Sequence, residues 1–135
     1  MQMNISQFNE ILIVEDNTVE RRLIKRRISK ADATREIVEA VNGKEALEYL
    51  CQKFSSSEKI DHRVVITLDI NMPIMNGREL LKELDKCDFK NRLSVIIVSS
   101  SDNSEDISLC RSYEFVDDYI TKPLDQVMVE KILNG

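Results

Sequence analysis

The sequence predicts an α/β fold, a doubly wound (βα)5 arrangement with five parallel strands lying between two layers of helices. Three observations predict it. Short runs of β-branched and other apolar residues recur without the polar alternation of a half-exposed strand, which is the pattern of strands covered on both faces. Segments with apolar residues at helical spacing separate those runs, so strand-like and helix-like stretches alternate along the chain. The 135 residues, 42% hydrophobic and 32% charged, suffice for one core, since single domains commonly run to roughly 100–150 residues.

Taken in order, Ile11-Leu-Ile-Val14 reads as the first strand, and Val19, Leu23, Ile24 and Ile28 share the apolar face of the helix after it. Glu36 to Val41 alternates imperfectly and reads as a second strand. Ala46, Leu47, Leu50, Cys51 and Phe54 mark the second helix, and the polar stretch from Ser55 to His62 reads as a loop into the third strand, Val64 to Leu68. Leu80, Leu81 and Leu84 define the third helix, Val95 to Val98 the fourth strand, Leu109 and Cys110 a short fourth helix. Asp118 to Thr121 reads as the fifth strand, and Val127, Met128, Lys131 and Ile132 as the face of a closing helix. Right-handed crossovers place each helix on one face or the other of one parallel sheet. Residues 1–135 are expected to form one domain with its core from about 9 to 134 and no output domain.

The formal net charge of −5 and pI near 5.0 argue against nucleic-acid binding, which draws on clustered Lys and Arg. The one basic stretch, Arg21, Arg22, Lys25, Arg26, Arg27 and Lys30, reads as the solvated face of a helix, with a docking surface for an acidic partner as the alternative. Cys51, Cys87 and Cys110 have no metal-ligand spacing and read as reduced thiols. No run approaches the roughly 20 apolar residues of a membrane span, and the expected location is the cytoplasm. His62, the single histidine, reads as a solvated loop residue.

Sheets of this kind bind ligands beyond the carboxyl ends of their strands, so those residues carry the functional reading. They are Glu15-Asp16 after the first strand, Asp69 after the third, Ser99-Ser100 after the fourth and Lys122-Pro123 after the fifth. Three carboxylates on one rim repel one another unless something positive sits between them. With only oxygen ligands on offer, a hard cation such as Mg²⁺ suits the set. A metal among carboxylates, with a lysine and a hydroxyl nearby, is equipment for phosphoryl transfer, and a carboxylate can itself be the nucleophile. Each piece also has an ordinary explanation. Asp16 or Asn17 could cap the helix beginning near Thr18, Lys-Pro could be an exposed turn, and the serines before Asp102 could be turn or cap residues.

The stretch Leu68-Asp69-Ile-Asn-Met-Pro-Ile-Met-Asn-Gly77 resembles the phosphoacceptor segment of response-regulator receivers. Ile13-Val-Glu-Asp-Asn17, Val95-Ile-Ile-Val-Ser-Ser-Ser-Asp102 and Asp118-Tyr-Ile-Thr-Lys-Pro123 resemble that family's acidic-pair, switch-hydroxyl and lysine segments, in the family's order. The resemblance runs from Ile11 to about Leu133 and implies a flavodoxin-like strand order 2-1-3-4-5 and a stand-alone single-domain receiver. It further implies that Asp69 accepts the phosphoryl group, and that Glu15, Asp16, Asp69 and the backbone carbonyl of Asn71 hold Mg²⁺, or Mn²⁺ in vitro. Lys122 would pair with the phosphoryl oxygens after a cis peptide to Pro123, while Ser99 and Tyr119 would form the switch. Ser99 stands where threonine is frequent and lacks the methyl group that helps fix the rotamer. Asn71 and Ser101 fall at positions that affect how long the phosphate lasts.

The function implied by the resemblance is a signalling switch of a two-component system or phosphorelay rather than an enzyme acting on outside substrates. It would catalyse only its own phosphorylation and slow dephosphorylation. The donor would be a sensor histidine kinase or a histidine phosphotransfer protein, the output a downstream protein, and the state a monomer or transient homodimer. Two other classes share parts of the pattern. A flavin-binding protein of similar fold would present N–H groups to an anion where this chain has Glu15-Asp16, and a haloacid-dehalogenase-type phosphatase would need a second acid where Asn71 stands. A receiver reduced to a protein-interaction module would have lost the aspartates or the lysine, all of which are present.

Overall fold

The structure, a computed structural model, describes residues 8–55 and 61–134. Five strands, β1 (Glu10–Val14), β2 (Glu36–Ala40), β3 (Val64–Leu68), β4 (Leu93–Ser99) and β5 (Val116–Thr121), alternate with α1 (Thr18–Ala31), α2 (Gly43–Lys53), α3 (Gly77–Asp85), α4 (Ser104–Arg111) and α5 (Gln126–Asn134). A single 3₁₀ turn at Lys90–Arg92 leads into β4. All strand pairs are parallel, in the expected order β2-β1-β3-β4-β5.

The continuous apolar runs are explained by the two layers. Along the central strands Ile11, Ile13, Val65, Ile96 and Val98 turn toward α1 and α5, where Ile24, Ile28, Val129 and Leu133 meet them. Their neighbours Leu12, Val14, Ile66, Leu68 and Ile97 turn the other way, toward Leu50 of α2, the leucines of α3 and Cys110 of α4. Successive side chains of a strand point to opposite faces, so a strand covered on both sides has no polar positions to show. β2, at the sheet edge, is only partly covered, which accounts for its imperfect pattern. The central strands do bury a few polar residues, Glu10, Thr67, Ser94 and Ser99, and of these the Thr67 Oγ1 has no hydrogen-bond partner among the described residues.

Four helices begin at an asparagine that caps them. The side chains of Asn17, Asn42, Asn76 and Asn103 accept from the backbone N–H groups of Glu20, Glu45, Glu79 and both Glu105 and Asp106. Asp125 does the same for Met128 at 2.9 Å. Every helix therefore starts crisply just past a strand, with its positive dipole end on the carboxyl rim of the sheet.

Several side chains lie elsewhere than the sequence suggests. In α1 only Ile24 and Ile28 are buried, and Val19 and Leu23 are exposed. In α5 the buried pair is Val129 and Leu133, and Val127 and Met128 face out. With apolar residues at most of its positions that short helix satisfies helical spacing on more than one face, and buried Leu124 just before it sets the phase. Leu109 and Cys51 are also exposed.

His62 is not solvated. Its side chain is 12% exposed and its Nε2 lies 2.8 Å from Glu10 Oε1. Glu10 is fully buried at the start of β1 and also accepts from Tyr49 Oη at 2.6 Å, with Lys53 Nζ 3.9 Å away. A buried carboxylate is costly unless donors surround it, and that demand draws His62 inward. Residues 56–60 of the expected loop lie outside the described residues. The basic stretch of α1 is partly committed within the chain: Arg21 donates to Glu15 O and Glu39, and Arg27 to Leu124 O. Among the described residues no helix is long and apolar enough to cross a membrane.

Candidate functional site

The site lies at the carboxyl rim. Glu15 directly follows β1 and its backbone N–H donates to Ala40 O of β2 at 3.1 Å, while Asp69 directly follows β3 and donates to Val14 O at 3.1 Å. These bonds extend the sheet by one residue and fix both carboxylates over the middle of it. Gly77 holds the loop after Asp69 close to the rim: its N–H donates to Ile70 O at 2.8 Å, and a Cβ there would lie 2.5 Å from the Asp69 carbonyl.

Lys122, arriving from β5, joins these acids. Its Nζ donates to Glu15 Oε1 at 2.8 Å, to Asp69 Oδ2 at 3.3 Å and to Glu20 Oε2. The other oxygens of Glu15 and Asp69 have backbone partners: Asn17 N–H donates to Glu15 Oε2 at 3.1 Å and Asn71 N–H to Asp69 Oδ1 at 3.2 Å. Carboxylate oxygens of Glu15, Glu20 and Asp69 lie within 4.8 Å of one another. The Lys122–Pro123 peptide is cis.

One ammonium against three carboxylates leaves the centre negative. Burial, with the side chain 2% exposed, pushes the Glu15 carboxyl up to about 8 against the pull of Lys122. The Lys122 ammonium holds Glu20 below its ordinary range. Burial works to lower Lys122 itself, but Glu15, Glu20 and Asp69 overcome it and raise the lysine above its usual range. A centre of buried oxygens with uncompensated charge fits a hard divalent cation, and Glu15, Glu20 and Asp69 are the carboxylates whose oxygens come close enough together to share one.

Of the expected site residues, Glu15, Asp69 and Lys122 meet directly. Asp16 is exposed and stands outside the group of converging oxygens, and Asn71 is exposed with its N–H turned to Asp69. Ser99 ends β4, fully buried, and its Oγ accepts from Ser101 N–H at 3.2 Å. Tyr119 is buried and donates from its hydroxyl to Ser101 O at 2.8 Å. Ser101 Oγ donates to Asp106 Oδ2 at 2.7 Å, and Asp106 pairs with Arg78 of α3 at 2.9 Å, so the loop after β4 is tied to β5, α4 and α3 together.

Glu20 is the residue that strand ends do not announce. It sits three residues after the cap Asn17, where an acid passes as ordinary helix-start chemistry. The one sequence signal is that helical side chains lean toward the N-terminus, which aims a first-turn acid back over the rim.

The family model described as the response regulator receiver domain matches residues 11–134. The chain is 34% identical over 125 residues to chemotaxis protein CheY1 of Helicobacter pylori, covering 91% of this chain and 93% of that protein. It is 29% identical over 126 residues to response regulator Rcp1 of Synechocystis sp., covering 93% and 84% respectively. In three dimensions it is similar to the phosphorylated cyanobacterial phytochrome response regulator RcpA, with a TM-score of 0.75 at 29% identity over 94% of this chain and 90% of that one.

Proposed function

The chain belongs to the response-regulator receiver domain family of two-component signalling, and from that premise we propose that it is a phosphorylation-activated switch whose acceptor is Asp69. A phosphohistidine on a sensor kinase or phosphotransfer protein is the donor. The N–P bond breaks, a carboxylate oxygen of Asp69 forms the new O–P bond, and the departing imidazole takes up a proton. The observation that carries this proposal is the convergence of Glu15, Asp69 and Lys122 from three strand ends on one ammonium, at 2.8 Å and 3.3 Å for the two acids.

Glu15, Asp16, Asp69 and the carbonyl of Asn71 would hold Mg²⁺, for which an all-oxygen donor set is suited. When bound, the ion neutralises charge on the entering phosphoryl group. Lys122 shares that charge by turning its ammonium to the phosphoryl oxygens. Ser99 donates its hydroxyl to the new group, drawing the loop after β4 inward, and Tyr119, bonded to that loop, moves with it. Added charge of roughly −1.5 to −2 is thereby converted into a changed surface around α4, β5 and α5. Output is through a protein contact in the cytoplasm rather than DNA, in keeping with the net charge of −5, and the chain acts as a monomer or transient homodimer.

Incubation with a phosphorylated histidine phosphotransfer protein, or with acetyl phosphate, tests this. The expected product is a hydroxylamine-sensitive acyl phosphate that forms with Mg²⁺ and not with EDTA. No incorporation from either donor would leave an interaction module without phosphorylation.

A further inference from the structure

Resting on the proposed phosphoryl transfer at Asp69, we infer that Glu20 is a positioning residue that holds the Lys122 ammonium at the mouth of the site and competes with an entering phosphoryl group for it. Glu20 differs from its two acidic neighbours in origin, exposure and anchoring. It comes from the first turn of α1 rather than from a strand end. Its side chain is 41% exposed, against 2% for Glu15 and 8% for Asp69, so it forms the outer wall of the cluster. Backbone N–H groups fix Glu15 and Asp69, whereas the only cation on the Glu20 carboxylate among the described residues is Lys122.

The three acids share one ammonium, and Glu15 and Asp69 are the two that are buried and fixed by backbone N–H groups, where the proposed function places the cation. Once they are engaged, the lysine is left between Glu20 and whatever occupies the acceptor. A phosphoryl group must then draw the ammonium from Glu20, and through that competition Glu20 lowers the occupancy of the phosphorylated state.

The test is Glu20→Gln, which keeps the shape and removes the charge, in the wild-type and Lys122→Ala backgrounds. The probe is beryllium fluoride at saturating Mg²⁺, titrated by NMR. Glu20→Gln is expected to bind it roughly threefold tighter or better, as suits a half-exposed ion pair. The gain is expected to shrink to within about twofold without Lys122, since an effect carried through a partner vanishes with the partner. Mg²⁺ affinity, measured separately by calorimetry, is expected to change less than about threefold. Equal or weaker beryllofluoride binding, or a gain undiminished in the Lys122→Ala background, would overturn the inference. So would a loss of Mg²⁺ affinity of about tenfold or more, the loss expected when a group supporting a metal is removed. If the wild type takes up no beryllofluoride, or Asp69→Asn takes up as much, the receiver chemistry itself fails and this inference with it.

Discussion

The backbone N–H of Lys122 donates to the carbonyl of Ser99 at 2.8 Å. The lysine and the proposed switch hydroxyl are therefore carried by adjoining strand ends joined by a ladder bond, and Tyr119, two residues before Thr121, is bonded in turn to the loop that succeeds Ser99. Movement of either group toward a phosphoryl oxygen displaces a common piece of backbone.

Lys122→Ala is expected to retain Mg²⁺ binding with equal or higher affinity, because it removes the one ammonium that, among the described residues, lies between Glu15, Glu20 and Asp69. The same variant is expected to lose the shifts of Ser99 and Tyr119 resonances when beryllium fluoride is added. Calorimetry and NMR on one sample check both, and loss of Mg²⁺ binding would contradict the assignment.

Thr67→Val is expected to stabilise the fold. Thr67 Oγ1 is buried with no partner among the described residues, and an isosteric methyl removes an unsatisfied polar atom worth about 1 kcal/mol or more. Urea denaturation reads the change, which should be the same with and without Mg²⁺.

Gly77→Ala is expected to destabilise by about 2 kcal/mol, the middle of the range for overpacking. The added Cβ would meet Asp69 O at 2.5 Å and Ile70 Cα at 2.7 Å, both backbone atoms without room to turn away. Because the clash displaces the acceptor segment, slower phosphorylation should accompany the lower denaturation midpoint.

Asp117 gives a pH dependence separate from the site. Burial raises its carboxyl above the ordinary value, Ser94 works against that by hydrogen bonding, and Asp118 adds to the rise. A carboxyl raised in the folded state binds more protons there than in the unfolded chain, so its contribution is full at low pH and is lost as pH rises through the folded value. Asp117→Asn does not titrate. Its stability relative to wild type should therefore climb from pH 4 to pH 7 in denaturation curves taken at each pH, and a flat difference would contradict the raised carboxyl.

Much of the fold was legible because β1, β3 and β4 are covered on both faces and so carry unbroken apolar runs. The rim was legible for a related reason: each site residue lies at the end of such a run, so chain order alone places Glu15, Asp69, Ser99 and Lys122 on one edge. The features that escaped depend on contacts between distant segments. His62 moves inward for Glu10, 52 residues away, and no local pattern around either residue announces that pairing. The exposure of Val19 and Leu23 arises because α1 has more apolar surface than α5 and the sheet can cover. Glu20 was hidden by its own plausibility as a helix-start acid, and its role emerges only where the turn of α1 meets the end of β5.

The most direct measurement on Asp69 is peptide mass spectrometry of the protein after brief exposure to a phosphorylated donor with Mg²⁺, trapping the acyl phosphate by borohydride reduction. The expected result is modification at Asp69 alone in the wild type and none in Asp69→Asn. Modification at another residue of the wild type, or undiminished labelling of Asp69→Asn, would contradict it.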